Sequence, residues 1–452
     1  MKHAHSPSGF WKTAVTLALP IALQNLLTSS ASLIDTAMIV PLGNTAVAAV
    51  GVAGRFTFLL NTVSFGFCSG CATMISQFWG AQDRTKIRHS FGVATVAAMT
   101  TAILFASVLA LFPHFCISVF GPEADAAAKA AEYLRIVAFA MPLIMFSQIS
   151  CAALRATEKV SVPLISSAAA VVTNTFLNYC LINGHFGFPA LGVRGAAIAT
   201  VIGTTVQAVI VFFALQFGKN AVRAMPRDYF SFDRGFVKKY TTTAFPALLN
   251  ETLWAVGTNV YVMVLARQGT EEYSGYTLFE TVQQLFFVFF VGICHASAIM
   301  VGKAVGRGDT EEGYRTAKRF VIMTPLLGVI MGTILIFTRG PLLSLFEIET
   351  EGARLTALSL LLFYGFWIGM RMIAYTCICG IFRAGGDTKT GCFLDLGCLF
   401  LSGVPAVCLT GLVFDVPFVL VAASMFIAED IPKNILCIRH FLSKKWIKQL
   451  TK

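Results

Sequence analysis

Charge is what this sequence has least of. Only 13% of its 452 residues are Asp, Glu, Lys or Arg, about half the share of an ordinary soluble domain. A soluble chain of this length needs a polar surface that such a composition does not supply. The motifs of common catalysis are missing as well. There is no HExxH, GxSxG, lysine-bearing phosphate loop or acidic metal cluster, so an enzyme is not expected and nothing provides ATP hydrolysis. GRGD at 306–309 follows no strand and reads as a turn, because glycine accepts left-handed geometry. Zinc-finger spacing and RNA-binding signatures are absent, so no nucleic-acid partner is expected despite a net charge of +11. The twelve cysteines show no repeated ligand pattern. Cys68, Cys71, Cys377 and Cys379 sit in apolar runs without nearby histidines and read as small buried hydrophobes. No cofactor is expected.

What the chain has is apolar length: 56% hydrophobic residues and a mean hydropathy of +0.74. Twelve apolar segments can be drawn: 13–40, 49–79, 91–116, 130–154, 162–182, 193–216, 240–265, 276–302, 320–338, 355–382, 391–412 and 416–436. Each is long enough, or nearly so, for a helix to cross a bilayer. The first is too long for a signal peptide and reads as an uncleaved first helix. Lysine and arginine concentrate in the connections at 80–90, 155–159, 217–239, 303–319 and 383–389 and in the tail. The opposite loops, such as 121–125, 271–272 and 347–351, are short, neutral or acidic. That bias places both ends in the cytoplasm.

The chain also repeats itself. A shift of 226 residues sets Pro20 on Pro246, Asn25 on Glu251, Gly43 on Gly269, Gly80 on Gly306 and Asp83 on Asp309. A slightly larger shift sets LRATEKVSVP on FRAGGDTKTG and Arg155 on Arg383. Six spans precede the basic connection and six follow it. The expected fold is therefore an all-α polytopic membrane protein with twelve transmembrane helices in two six-helix lobes, a parallel internal repeat. The lobes are drawn at 1–216 and 240–440, with a cytoplasmic connection at 217–239 and a basic cytoplasmic tail at 441–452.

Ionisable residues inside such segments are costly and mark function. Asp35 is the first, in SLIDTAMI. A helix-end acid near the surface is the structural alternative to a site for a proton or sodium. Asn174 and Asn178 share one helix face at a four-residue spacing. They serve either helix contacts or, with Asp35 and Thr200, a shell of hard oxygen ligands. In the second half, Glu251 is the counterpart acid, suited when buried to a cationic substrate or a second protonation site. Arg371 lies well inside its span and needs a carboxylate partner or a watery cavity. Gln283, Gln284 and Tyr375 are candidates to line a polar path, and the forty phenylalanines read mainly as lipid-facing and packing residues.

These residues resemble the multidrug and toxic compound extrusion (MATE) family across nearly the whole chain. The resemblance is carried by QNLLTSSASLIDTAMIVPLGNTAVAAVG, SQFWGAQDRTKIR, LRATEKVSVP, NTFLNYCLINGHFGFPALGVRGAAIAT and IFRAGGDTKTG, in that order. It implies a secondary antiporter of the bacterial inner membrane that exports organic cations or amphipathic compounds in exchange for H+ or Na+. It also implies a functional monomer among membrane lipids, with two lobes around a central cavity. The family's coupling aspartate falls on Asp35 and its polar companions on Asn174, Asn178 and Thr200. Some relatives carry aspartate where this chain has Asn178, which removes one negative ligand from a sodium site. The seventh-helix glutamate of one branch falls on Glu251. That branch's tenth-helix aspartate meets Arg371 and Met372 instead, so Glu251 is expected to pair with arginine or to contact substrate. The alternative is a flippase for lipid-linked precursors or polysaccharide.

Overall fold

The computed structural model describes residues 7–118, 124–223, 233–346, 348, 350–414 and 416–451. Parts of the expected loops at 121–125 and 347–351, of the 217–239 connection and of both termini lie outside the described residues. All regular structure among those described is helical. In order, the helices are α1 (Pro7–Ile39), α2 (Asn44–Gly80), α3 (Arg84–Leu111), α4 (Pro113–Ser118), α5 (Ala124–Ala138), α6 (Ala140–Ala156), α7 (Ser161–Asn183) and α8 (Val193–Phe217). There follow α9 (Arg234–Leu265), α10 (Thr270–Gly306), α11 (Thr310–Leu343), α12 (Glu351–Tyr375), α13 (Thr388–Cys398), α14 (Val404–Leu412) and α15 (Phe418–Leu442). π-Helical turns at Thr376–Phe382 and Leu399–Gly403 carry α12 onward and join α13 to α14.

By length and composition, nine helical stretches among the described residues suit a bilayer crossing. The pair α5 and α6, bent by 48°, makes a tenth. The protein is thus all-α and polytopic. Two of the twelve expected spans, α9 and α15, fall outside this set. Asn250, Glu251, Thr258 and Asn259 dilute the apolar part of α9, while Glu429, Asp430 and Lys433 put three charges in the middle of α15.

The described chain forms two compact units. One comprises Leu23–Ile75 and Asp83–Thr242; the other comprises the residues up to Ala22, Ser76–Gln82 and the chain from Thr243 onward. In the first, α7 and α8 pack along each other, with α5 and α6 against them and α3 against α5 and α6. Gly203 on α8 lets this happen at the level of Asn174. A Cβ there would stand 3.0 Å from both the Ala170 carbonyl oxygen and the Asn174 Cβ. In the second, α11 and α12 cross on glycine. A Cβ on Gly332 would lie 1.9 Å from the Gly365 carbonyl oxygen, and one on Gly328 2.4 Å from the Gly369 Cα. Small residues permit this backbone approach where apolar burial supplies little drive between helices in lipid.

Aromatic packing fills the second unit's interior. Phe279 meets Tyr364 edge-on at 5.7 Å, and Phe426 packs on both. Phe337, Phe366 and Phe393 instead point outward and are largely exposed, as side chains do that face hydrocarbon rather than water. Asp83 and Asp309 each cap the helix that follows, accepting from Lys86 N–H and Glu312 N–H. Gly308 in GRGD has φ +87°, the turn geometry expected there. The twelve cysteines are all unbridged, and most are buried in helices.

Candidate functional site

In the first unit, α1 brings Asp35 to the seam between α7 and α8. Asn178 on α7 donates from Nδ2 to Asp35 Oδ1 at 2.6 Å. Asn174, one turn earlier, places its amide nitrogen 2.8 Å from the same oxygen and accepts from the Thr200 N–H at 3.3 Å, in the orientation that satisfies both ends of the amide. Thr200 on α8 donates its hydroxyl to the Ala196 carbonyl, as threonine does within a helix. Two amide donors thus converge on one carboxylate oxygen. Among the described residues, no hydrogen bond occupies Oδ2.

Asp35, Asn174 and Thr200 line a cavity of about 230 Å³, together with Thr28, Ser32 and Gln207. Asn178 is buried next to Asp35 and is not on the cavity wall. The cavity wall at Ser167 and Gln207 is polar and adjoins the Arg155 cation through Gln24. Gln24 and Gln207 both donate to Ser167, at 2.9 and 3.1 Å, and Arg155 donates to Gln24 at 3.1 Å. Tyr133 on α5, not singled out from the sequence, lies beside Thr200. Such a site provides a carboxylate and several uncharged oxygens in a confined volume, a donor set that suits a proton or a small hard cation.

The second set of candidates does not gather into one site. Glu251 pairs with Arg383 at 2.7 Å, not with Arg371. Arg371 instead pairs with Asp430 at 3.3 Å and lies over the Phe426 ring at 4.8 Å. Trp367 donates to the same carboxylate at 2.8 Å. Gln283 lies near Tyr364, whose buried hydroxyl has no hydrogen-bond partner among the described residues, Gln284 is exposed, and Tyr375 packs on Phe287 with ring centres 4.9 Å apart.

Four charged residues outside these candidates gather in this unit: Asp395 on α13 and Glu429, Asp430 and Lys433 on α15. The available signal was charge inside an apolar run, the same signal that marks Asp35. Among the described residues, no three His, Cys, Asp or Glu side chains cluster as metal ligands would.

An all-helical membrane protein with a half-buried carboxylate in a small polar cavity is the class that fold and site define. The MatE family model matches residues 20–180 and 246–409, and the chain belongs to that family. It is 24% identical to a probable multidrug resistance protein NorM of Thermotoga maritima, over 97% of this chain and 93% of the relative. It is likewise 24% identical to the multidrug resistance protein MdtK of Cronobacter sakazakii, over 88% and 87%. Among solved structures, the fold resembles a MATE crystal structure in the bent conformation with a TM-score of 0.83 at 17% identity, covering 96% of this chain and 95% of that one. An outward-facing multidrug resistance MATE transporter superposes with a TM-score of 0.82 at 18% identity, over 96% and 95%.

Proposed function

We propose that this protein is a secondary antiporter of the bacterial inner membrane, exporting organic cations or amphipathic compounds in exchange for H+ or Na+. On this reading α9 and α15 also cross the bilayer, completing twelve spans in two parallel six-helix lobes at 1–216 and 240–440, with both termini cytoplasmic. The charges of α15 favour inclusion, because their partners lie within the same unit and they need no water. The relatives named for multidrug resistance support the substrate class.

The observation that carries the mechanism is the convergence of the Asn174 and Asn178 amides on Asp35 Oδ1 beside a cavity. An ionised carboxylate resists closure of the helices around it, because closing removes its remaining solvent. A proton or cation taken up on the cavity side cancels that cost. Occupancy of Asp35 then biases one conformation, and substrate that prefers the other exchanges with it. Asn178, where some relatives have aspartate, leaves the site a single formal negative charge.

Flux through reconstituted vesicles under separately imposed proton and sodium gradients tests this. Wild-type protein is expected to export organic cations against at least one gradient, and Asp35→Asn is expected to lose gradient-driven export while staying folded. Undiminished coupled export by Asp35→Asn would remove Asp35 from the mechanism.

A further inference from the structure

The hydrogen bonds at the wall of the Asp35 cavity recur in the second unit with charged residues in place of neutral ones. Gln24 donates to Ser167; 226 and 228 residues later, Asn250 donates to Asp395, each at 2.9 Å. Gln207 donates to Ser167; at the same two offsets, Lys433 bonds Asp395 at 2.7 Å. Asp35 itself is matched by Tyr261, and Gly203, which opens the first cavity, by Glu429. Space beside a carboxylate in one half is thus occupied in the other by side chains.

The Lys433 ammonium sits between two carboxylates. It bonds Asp395 Oδ1 and Glu429 Oε1, while Asn250 and Tyr261 donate to the remaining oxygens, Asp395 Oδ2 and Glu429 Oε2. The Lys433 and Glu429 side chains are more than nine-tenths buried, and that of Asp395 retains 12% exposure. Nearby charges are already matched, Glu251 with Arg383 and Asp430 with Arg371. An ammonium held by two buried carboxylates has the charge and the oxygen contacts of a bound monovalent cation, but a covalent tether prevents its release.

We propose that Lys433 is a tethered counter-cation, its ammonium filling between Asp395 and Glu429 the place that an exchangeable monovalent cation takes beside Asp35. This rests on the coupling role proposed for Asp35. It adds that the second half is permanently loaded, so that cation exchange is confined to the first. Removing the lysine side chain would convert the second site into one that binds a free cation. Asn250 offers a further ligand there, since its buried Oδ1 has no hydrogen-bond partner among the described residues.

The test measures thermal unfolding of purified protein in choline, sodium or methylammonium chloride at equal ionic strength, with Asp35→Asn present throughout to silence the first cavity. The Asp35→Asn protein is expected to unfold at one midpoint in all three salts. With Lys433→Ala added, the midpoint should fall in choline and recover by several degrees in sodium or methylammonium, as binding to the folded state alone requires. Further addition of Glu429→Gln should abolish the recovery. Identical midpoints for the Lys433→Ala protein in all three salts would overturn the proposal. So would failure of that protein to fold in any of them, or a salt response that survives Glu429→Gln. Flux tests the Asp35 reading and unfolding tests this one, so either can fail alone.

Discussion

Replacing Glu251 by glutamine removes the carboxylate from a buried pair while keeping its shape. Its oxygen lies 2.7 Å from Arg383, whose side chain is 4% exposed, so water cannot take over the lost charge interaction. Breaking such a pair from one side costs about 3–5 kcal/mol, chiefly because the surviving charge is stranded. The Glu251 side chain retains 17% exposure, and Asp395 also acts on Arg383 electrostatically. Both place the expected loss near the lower end, about 3 kcal/mol, or roughly 3 °C in unfolding midpoint for a chain of this length. Neutralising both partners, with Glu251→Gln and Arg383→Gln together, leaves an amide pair and no stranded charge, so most of that loss should return. Tryptophan fluorescence during heating of the purified protein reads all three variants. A Glu251→Gln midpoint indistinguishable from wild type, or a double variant as unstable as the sum of the singles, would refute the reasoning.

At the crossing of α11 and α12, Gly332→Leu forces the backbones apart and should cost about 1–3 kcal/mol or more, seen as poor expression and a lower unfolding midpoint. Asp387, between the segments assigned to the membrane, gives a pH prediction. Burial raises its pKa, but hydrogen bonds from Lys448 and Thr390, the Lys448 charge and contact with His440 outweigh that and hold the carboxyl below its ordinary range. A depressed folded pKa means stability that is present at neutral pH and lost as pH falls through that depressed value. Asp387→Asn should therefore lower the midpoint at neutral pH and flatten its acid dependence, and an unchanged acid limb would contradict this assignment.

Composition and order alone determined that this chain crosses a membrane many times, since 13% charge cannot clothe a soluble protein of its length. The same reading found Asp35, because an acid in an apolar run stands out without any neighbour. Asn174 and Asn178 were legible for a similar local reason, their four-residue spacing on one helix face. What a linear pattern does not contain is the partner brought from a distant helix. Glu251 and Arg371 were both visible as buried charges, yet only the packing of α9 and α15 decided that one meets Arg383 and the other Asp430. Asp395, Glu429 and Lys433 carry the same local signal but were not singled out from the sequence, and their meaning depends on helix packing that places two carboxylates around one ammonium. Burial cost follows from sequence position, whereas compensation is a distance, and distances between helices are set only by the folded chain.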